Sequence, residues 1–445
     1  MNICIIGTGY VGLVTGACLS EVGHKVICVD NNERKIAMLK EGKIPIYEAG
    51  LEELVQSNKT QRRLKFTTSI KEGVGVSDVI FICVGTPPKQ GGEADLTGVE
   101  KVTRKIARCA KSPKLIVEKS TVPVKTGKWI KRVFKMYNSQ VEFDIASNPE
   151  FLREGTAISD FLNPDRIVVG VESKKAENTL RKIYEPIINH KFNFSLREPS
   201  SPYPVPVVVT DIQSAEIIKH ASNSFLAMKI SYINAIADIC EKVGADVERV
   251  AEGMGLDRRV GRHFLKAGLG FGGFCFPKDL QAFIRIAKDL NYDFALLREV
   301  ERINRERPKL LVKKIKDALW IIKDKTIGIL GLSFKPGTDD MRFAPSLEVI
   351  DILQKEGARI KVYDPASMKK AKKLLPHIVF TRNPYDAIEG ANALLILTEW
   401  NEFKTLNFFR IKKLMINPVI VDGRNMFDPL KMREAGFIYK CMGRG

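Results

Sequence analysis

No stretch of this chain reaches the run of ~18 to 20 consecutive apolar residues that a membrane-crossing helix needs. The first apolar run, NICIIG, starts at the second residue with neither a basic leader nor a small-residue cleavage site before it. No membrane partner and no secretion are expected, and the protein is placed in the cytoplasm. Cysteine is scarce and unpatterned. Cys4, Cys18, Cys28, Cys83, Cys109, Cys240, Cys275 and Cys441 include no C-x-x-C pair and no regular spacing, which argues against a disulfide framework and against a zinc site. No metal is expected, and most of the eight should be small buried hydrophobes. Low-complexity tracts and short-period repeats are missing too, as is any basic run interleaved with aromatics that would make a nucleic-acid platform. The net charge of +19, from 71 Lys and Arg against 52 Asp and Glu, therefore reads as solvated surface with a bias toward phosphate-bearing substrates.

What is present is an α/β rhythm in 445 residues, enough for two or three domains, with a hydrophobic fraction of 44% to fill their cores. Buried-strand runs at 2–6, 24–30 (HKVICVD), 78–85 (DVIFICVG) and 114–120 (KLIVEKS) alternate with helical stretches, the first from Val11. That order predicts a parallel sheet wrapped by helices. FDIASN and RIVVGV extend it to about residue 200, where the Pro-rich segment EPSSPYPVPVV (198–208) marks a boundary. A helical pattern follows, from a cap at Thr210 or Asp211 to a stop at Gly244. As one helix it would span about 50 Å at ~1.5 Å per residue, enough to join two domains and offer a dimerisation face. From Lys325 the rhythm restarts with TIGILGLSF, SLEVIDILQKEGA, RIKVYDP, ALLILTEW and PVIVDGRN. The expected fold is α/β, two Rossmann-like doubly wound parallel-sheet domains joined by a long central helix and a small helical domain. The expected divisions are 1–200, 201–310 and 311–445.

Gly7, Gly9 and Gly12 form G-x-G-x-x-G between a strand and a helix, where glycines allow the tight turn and bring a pyrophosphate to the helix N-terminus. Asp30 ends the next strand, where a carboxylate accepts hydrogen bonds from a ribose 2′-hydroxyl and repels a 2′-phosphate, which favours NAD over NADP. Asp364 ends its strand in the same way, yet no such glycine pattern follows the strand at 326–334, so the second half should hold a different nucleotide. In KAGLGFGGFCFPKD (266–279), Gly268, Gly270, Gly272 and Gly273 suit a loop that a ligand approaches closely. Pro277 fits the first position of a helix, which sets Cys275 just ahead of a helix start, a place that stabilises a thiolate, with Lys278 adding to the effect and Asp279 nearby. Lys219 and Asn223 are four residues apart and share a helix face in a largely apolar surround.

Taken together, GTGYVG, PIYEAGL (45–51), VGTPP (84–88), EKSTVP (118–123), SNPEFLREG (147–155), the Lys219/Asn223 helix, GFGGFCFPKD, LSFKPGTDDMR (332–342) and VDGRN (421–425) resemble the UDP-glucose/GDP-mannose dehydrogenase family, in its order and over nearly the full chain. The resemblance implies a four-electron oxidation of a sugar nucleotide at C6 with two NAD used in turn. Cys275 would capture the aldehyde as a thiohemiacetal that is oxidised to a thioester and hydrolysed. The F-P-K-D tail after the cysteine differs from the I-x-V-D-P version of UDP-N-acetylhexosamine relatives, so UDP-glucose is the implied substrate. The same chemistry on GDP-mannose or a UDP-N-acetylhexosamine is the alternative.

Matched by position, Asp279 and Lys219 would handle protons and charge on the C6 oxygen, Asn223 would donate a hydrogen bond to it, and Glu154 and Thr121 would assist hydrolysis. NAD would meet Gly7, Gly9, Tyr10, Val11, Gly12, Asp30, Lys35, Thr86, Thr121, Glu154 and Arg342. The sugar nucleotide would meet Phe151, Leu152, Arg153, Lys219, Asn223, Lys266, Gly268, Phe271, Gly272, Lys335 and Arg424, with Arg259 reaching in from a neighbouring subunit of a homodimer or larger homo-oligomer. Three positions depart from the commoner pattern: Ala49 for Pro, Phe274 for Ser or Tyr, and Phe343 for Glu, the last removing a local support of Arg342. Two rivals remain. A two-electron hydroxyacid-type dehydrogenase would need no thiol, and a noncatalytic binder of nucleotides or nucleic acid would make no NADH.

Overall fold

Strands β1 (Asn2–Ile6), β2 (Lys25–Val29), β3 (Leu64–Thr67), β4 (Val79–Ile82), β5 (Lys114–Glu118), β6 (Phe143–Ser147), β7 (Ile167–Val171) and β8 (Val207–Thr210) form one sheet in the order β3-β2-β1-β4-β5-β6-β7-β8. The computed structural model describes residues 1–89, 91–192 and 203–444. Central strands such as NICII and VIFI are apolar almost throughout because both faces are covered. Ile3 and Ile5 enter one core cluster with Leu13, Val117 and Phe161, while Cys4 and Ile6 enter another with Ile116, Phe134 and Ile212.

The sheet departs from the expected all-parallel pattern at one place. β7 runs antiparallel to β6, with Ala146 opposite Val171 and Ser147 opposite Gly170. Antiparallel neighbours are joined at one end of a sheet, so the connection carrying PEFLREG stays at the C-terminal ends of the strands, where open α/β sheets hold ligands. The Pro-rich boundary also moves. Residues 198–202 of that segment lie outside the described residues, and Val207 and Val208 open β8, so the first sheet continues past residue 200.

The helical pattern that follows is one unbroken helix, Ile212–Val243. Asp211 rather than Thr210 caps it, its Oδ1 accepting the Ser214 amide at 2.8 Å, and Gly244 stops it with φ of 73°. The chain divides inside this helix into two compact units, Met1–Ser222 with Gln281–Leu290 and Asn223–Leu280 with Asn291–Gly445. Among the described residues no helix is long and apolar enough to cross a membrane.

In the second unit β9 (Thr326–Leu330), β10 (Arg359–Tyr363), β11 (Val379–Phe380), β12 (Ala393–Ile396), β13 (Val419–Asp422) and β14 (Ile438–Cys441) form a parallel sheet in the order β11-β10-β9-β12-β13-β14. That order repeats the first six strands of the other sheet. The two halves are therefore doubly wound sheets of one topology, and they diverge at their carboxylates. Asp364 is buried, and its oxygens are filled by the amides of Leu332 (2.7 Å), Ser333 (3.1 Å), Ala366 (2.9 Å) and Ser367 (2.7 Å) and the Trp400 indole (3.2 Å). An oxygen so occupied has no lone pair left for a ribose hydroxyl.

Candidate active site

The first unit builds a dinucleotide-type turn. A Cβ on Gly7, whose φ is 103°, would lie 2.4 Å from the Cys83 carbonyl oxygen, and one on Gly12 would lie 1.9 Å from that of Gly7. Both glycines are forced by packing. At Gly9 a Cβ would meet no protein atom, so packing does not require that glycine and the backbone there is open to close approach. Gly9 leads into the helix Tyr10–Glu21, whose N-terminus has no side-chain cap and no acidic residue in its first turn, leaving its amides available to an anion. The Asp30 carboxylate accepts the Thr8 amide and hydroxyl, both at 2.8 Å, and the Asn32 amide at 2.9 Å, with Lys35 at 3.7 Å. Burial works against its charge, but these donors outweigh it and hold the carboxyl below the usual range. These residues fit the adenosine end of NAD. Asp30→Ser is expected to weaken NAD binding roughly ten- to hundredfold and to erase discrimination against NADP, measured as KM for each, since one charge-assisted hydrogen bond is worth about 1.5–3 kcal/mol.

A carboxylate that the sequence reading left unassigned holds the next turn. Glu48, in the PIYEAGL motif, is buried and accepts the amides of Gly155 (2.6 Å) and Ala157 (2.7 Å) and a short hydrogen bond from the Tyr10 hydroxyl. Burial, with Glu48 beside it, pushes the Tyr10 phenol up, so the hydroxyl serves as a fixed donor. Glu48 thereby fixes the chain on either side of the turn after Glu154. Glu48→Ala takes the acceptor from the buried Ala157 amide, at a cost of about 1–3 kcal/mol, and leaves the Gly155 amide to the Tyr10 hydroxyl at 2.8 Å, so a lowered thermal midpoint is expected. Ala49 beside it is exposed, so the missing proline disturbs nothing packed.

Glu150 is the second carboxylate the sequence reading passed over. Lys219 donates to its Oε1 at 3.0 Å with both side chains buried, and the Leu152 amide donates to its Oε2 at 2.6 Å. The signal was its place inside SNPEFLREG, four residues before Glu154. Phe151 takes Arg166 over its ring at 3.6 Å and Lys219 at 5.4 Å. Arg153 forks onto Asp160 and remains mostly exposed. Thr86 is buried and donates to the Thr121 carbonyl at 2.8 Å, joining the ends of β4 and β5.

In the second unit Cys275 is the first residue of the helix Cys275–Asp289 and is half-buried. The helix therefore starts two residues earlier than the proline implied, with Pro277 inside the first turn, where a missing N–H costs nothing. Among the described residues no other cysteine opens a helix, and six of the remaining seven are buried. Asp279 is 1% exposed and accepts Asn223 Nδ2 at 2.6 Å and Lys278 Nζ at 2.5 Å. Lys278 is thus engaged by Asp279.

The glycines before the cysteine also read differently in the fold. A Cβ on Gly268 would sit 2.7 Å from the Gly423 carbonyl, and one on Gly272 would sit 2.5 Å from that of Phe343. Their missing side chains let the loop press onto protein backbone, where the sequence reading left that space to a ligand. Arg424 secures the same loop, donating to the carbonyls of Gly270 (3.0 Å), Phe334 (3.0 Å) and Leu397 (2.8 Å). Phe271 is buried edge-on against Phe276, and Lys335 lies 5.7 Å over the Phe334 ring. Arg342 keeps local support despite Phe343, because it forks onto Asp340 (2.7–3.0 Å) and lies 4.5 Å over the Phe274 ring. Lys266 is exposed, and Arg259 is exposed and paired with Asp257.

Known proteins match this arrangement along its whole length. Residues 1–188 match the NAD binding domain of the UDP-glucose/GDP-mannose dehydrogenase family, residues 213–306 its central domain and residues 328–429 its UDP binding domain. The UDP-glucose 6-dehydrogenase TuaD of Bacillus subtilis is 46% identical over 445 residues, covering 100% of this chain and 93% of that protein. The UDP-glucose 6-dehydrogenase of Rhizobium meliloti is 45% identical, covering 100% of both. Among solved structures, a UDP-glucose dehydrogenase from Pyrobaculum islandicum superposes with a TM-score of 0.90 at 37% identity, over 100% of this chain and 98% of that one. The fold, the motifs in their order and these full-length matches together show that the chain belongs to the UDP-glucose/GDP-mannose dehydrogenase family.

Proposed function

We propose that this chain oxidises the C6 hydroxymethyl of UDP-glucose to the carboxylate of UDP-glucuronate with two NAD per sugar. The observation that carries the reading is Cys275, the one cysteine among the described residues that opens a helix, with Asp279 buried one turn later against Asn223 and Lys278. The substrate follows from the relatives, several of which are UDP-glucose 6-dehydrogenases at 40–46% identity over the full chain. Gly7, Gly9, Gly12 and Asp30 supply the fit for NAD, which when bound provides a hydride acceptor. The three family domains supply the division of labour.

In this reading Asn223 and Lys219 stabilise charge on the C6 oxygen, and Asp279 receives the hydroxyl proton through a water. The Cys275 sulfur then bonds to the aldehyde carbon, which keeps the reactive aldehyde from escaping and returns a C–H bond to be oxidised. Glu154 and Thr121 direct water onto the resulting thioester, breaking the C–S bond and regenerating the thiol. One alcohol, two NAD and one water give one carboxylate, two NADH and three protons. Phe151, Leu152, Arg153, Lys266, the loop from Gly268 to Gly272, Lys335 and Arg424 are assigned to the sugar nucleotide, with Arg259 supplied by a second copy. The test is the yield of NADH per sugar with UDP-glucose, GDP-mannose and UDP-N-acetylglucosamine in parallel. Two per UDP-glucose with little from the others is expected, and a one-to-one ratio would refute the four-electron scheme.

A further inference from the structure

Lys119 is 4% exposed, directly after β5. A buried ammonium is costly, and chains that keep one at a functional site commonly use it. Its Nζ donates to Asn148 Oδ1 at 2.9 Å and lies 3.4 Å from both the Asn148 carbonyl and the Tyr184 hydroxyl. The rings of Phe161 and Tyr184 lie 5.7 and 6.0 Å from it. Asn148 is pinned as firmly. Its amide donates to the Glu118 carbonyl at 2.8 Å and its Nδ2 to that of Val168 at 2.8 Å, and its Oδ1 also accepts the Tyr184 hydroxyl at 2.5 Å. One ammonium therefore knots the end of β5 to the end of β6. Thr121 lies two residues beyond Lys119, and Glu150 and Glu154 two and six beyond Asn148.

We propose that Lys119 is a positioning residue for thioester hydrolysis, holding the Thr121 and Glu150–Glu154 segments in register through Asn148. The proposal rests on the UDP-glucose oxidation just argued. The ionisable groups around the ammonium are Cys83, Glu150, Lys219 and the Tyr184 phenol. Burial pushes Lys119 down to about 8, against the pull of Cys83 and Glu150 and with the help of Lys219. Above that pH the amine loses its charge-assisted hydrogen bonds and the knot loosens. Between about 8 and the ordinary 10.5 the unfolded chain holds a proton that the folded chain has released, so this group's contribution to stability rises with pH across that window. Below pH 8 carrying the ammonium is a net cost to the fold. A methionine at 119 should therefore leave thermal stability at pH 7 unchanged or raised, as buried charges replaced by apolar groups often do.

The test is rapid-mixing kinetics with saturating UDP-glucose and NAD on the wild type, Lys119→Met and Lys119→Arg, with intact-mass detection of an adduct on Cys275. In Lys119→Met a fast burst of two NADH per site is expected, then a steady state slowed by up to about a hundredfold, the scale of a small misplacement of reacting groups, with thioester accumulating. Lys119→Arg, which keeps its charge, should turn over faster than Lys119→Met and sustain activity further above pH 8 than the wild type. A Lys119→Met steady state within twofold of the wild type overturns the proposal. So does equal loss of burst and steady state with a lowered melting temperature, which marks a purely structural lysine. If Lys119→Met fails to fold, Tyr184→Phe carries the same test, with a burst expected and its absence decisive against. A wild type that yields one NADH per UDP-glucose, or none, removes the functional reading itself.

Discussion

Replacing Cys275 with alanine is expected to lower steady-state NADH formation from UDP-glucose by at least about a thousandfold, the scale of loss seen when an enzyme's nucleophile is removed. The reason lies in what the thiol does for the second oxidation. An aldehyde has no hydride to give at neutral pH until a nucleophile adds to it, and Cys275 is the group assigned to that addition. It is the first residue of a helix, an end whose dipole favours negative charge, and among the described residues no other cysteine is so placed. The variant should still bind NAD and UDP-glucose, because Gly7, Gly12, Asp30 and the Arg424-tied loop are untouched. Its fold should be unchanged, because Cys275 is half-buried and a small residue replaces it. Single-turnover mixing should therefore show at most one NADH per site. Retention of full activity would favour a two-electron dehydrogenase with no covalent step.

Much of this fold was legible because its signals are local. A strand buried on both faces shows itself as an unbroken apolar run, and β1, β4 and β12 do so. The 32-residue helix Ile212–Val243 announced itself by periodicity, a cap and a terminal glycine. Less legible were strands whose partners decide them. β3 and β8 carry polar residues or sit beside prolines, and β7 pairs antiparallel because of where the preceding loop lies. The glycine fingerprint and Asp30 could be assigned from spacing because backbone geometry alone dictates them. Glu48 and Glu150 could not, because a carboxylate's task is set by what folds onto it. Glu48 meets Gly155 and Ala157 more than 100 residues away, and Glu150 meets Lys219 across 69. The departure at Phe343 likewise needed the structure, which shows the lost support replaced by Asp340 and the Phe274 ring.

Asp279→Ala is expected to injure both the fold and the chemistry, and the two injuries can be separated. Lys278 is 5% exposed and loses its counter-charge, and removing one partner of a buried pair typically costs about 3–5 kcal/mol. The Asn223 amide loses its acceptor as well, at about 1–3 kcal/mol. The melting temperature should fall clearly. Turnover should fall by about 10²–10⁴, the range for loss of a positioned acid–base group. Adding Lys278→Met to Asp279→Ala takes away the stranded ammonium. The double variant should regain most of the lost stability while remaining as inactive as Asp279→Ala, because the proton acceptor beside Asn223 is still missing. Recovery of turnover along with stability would mean that Asp279 serves only to neutralise Lys278, and the C6 proton would need another acceptor.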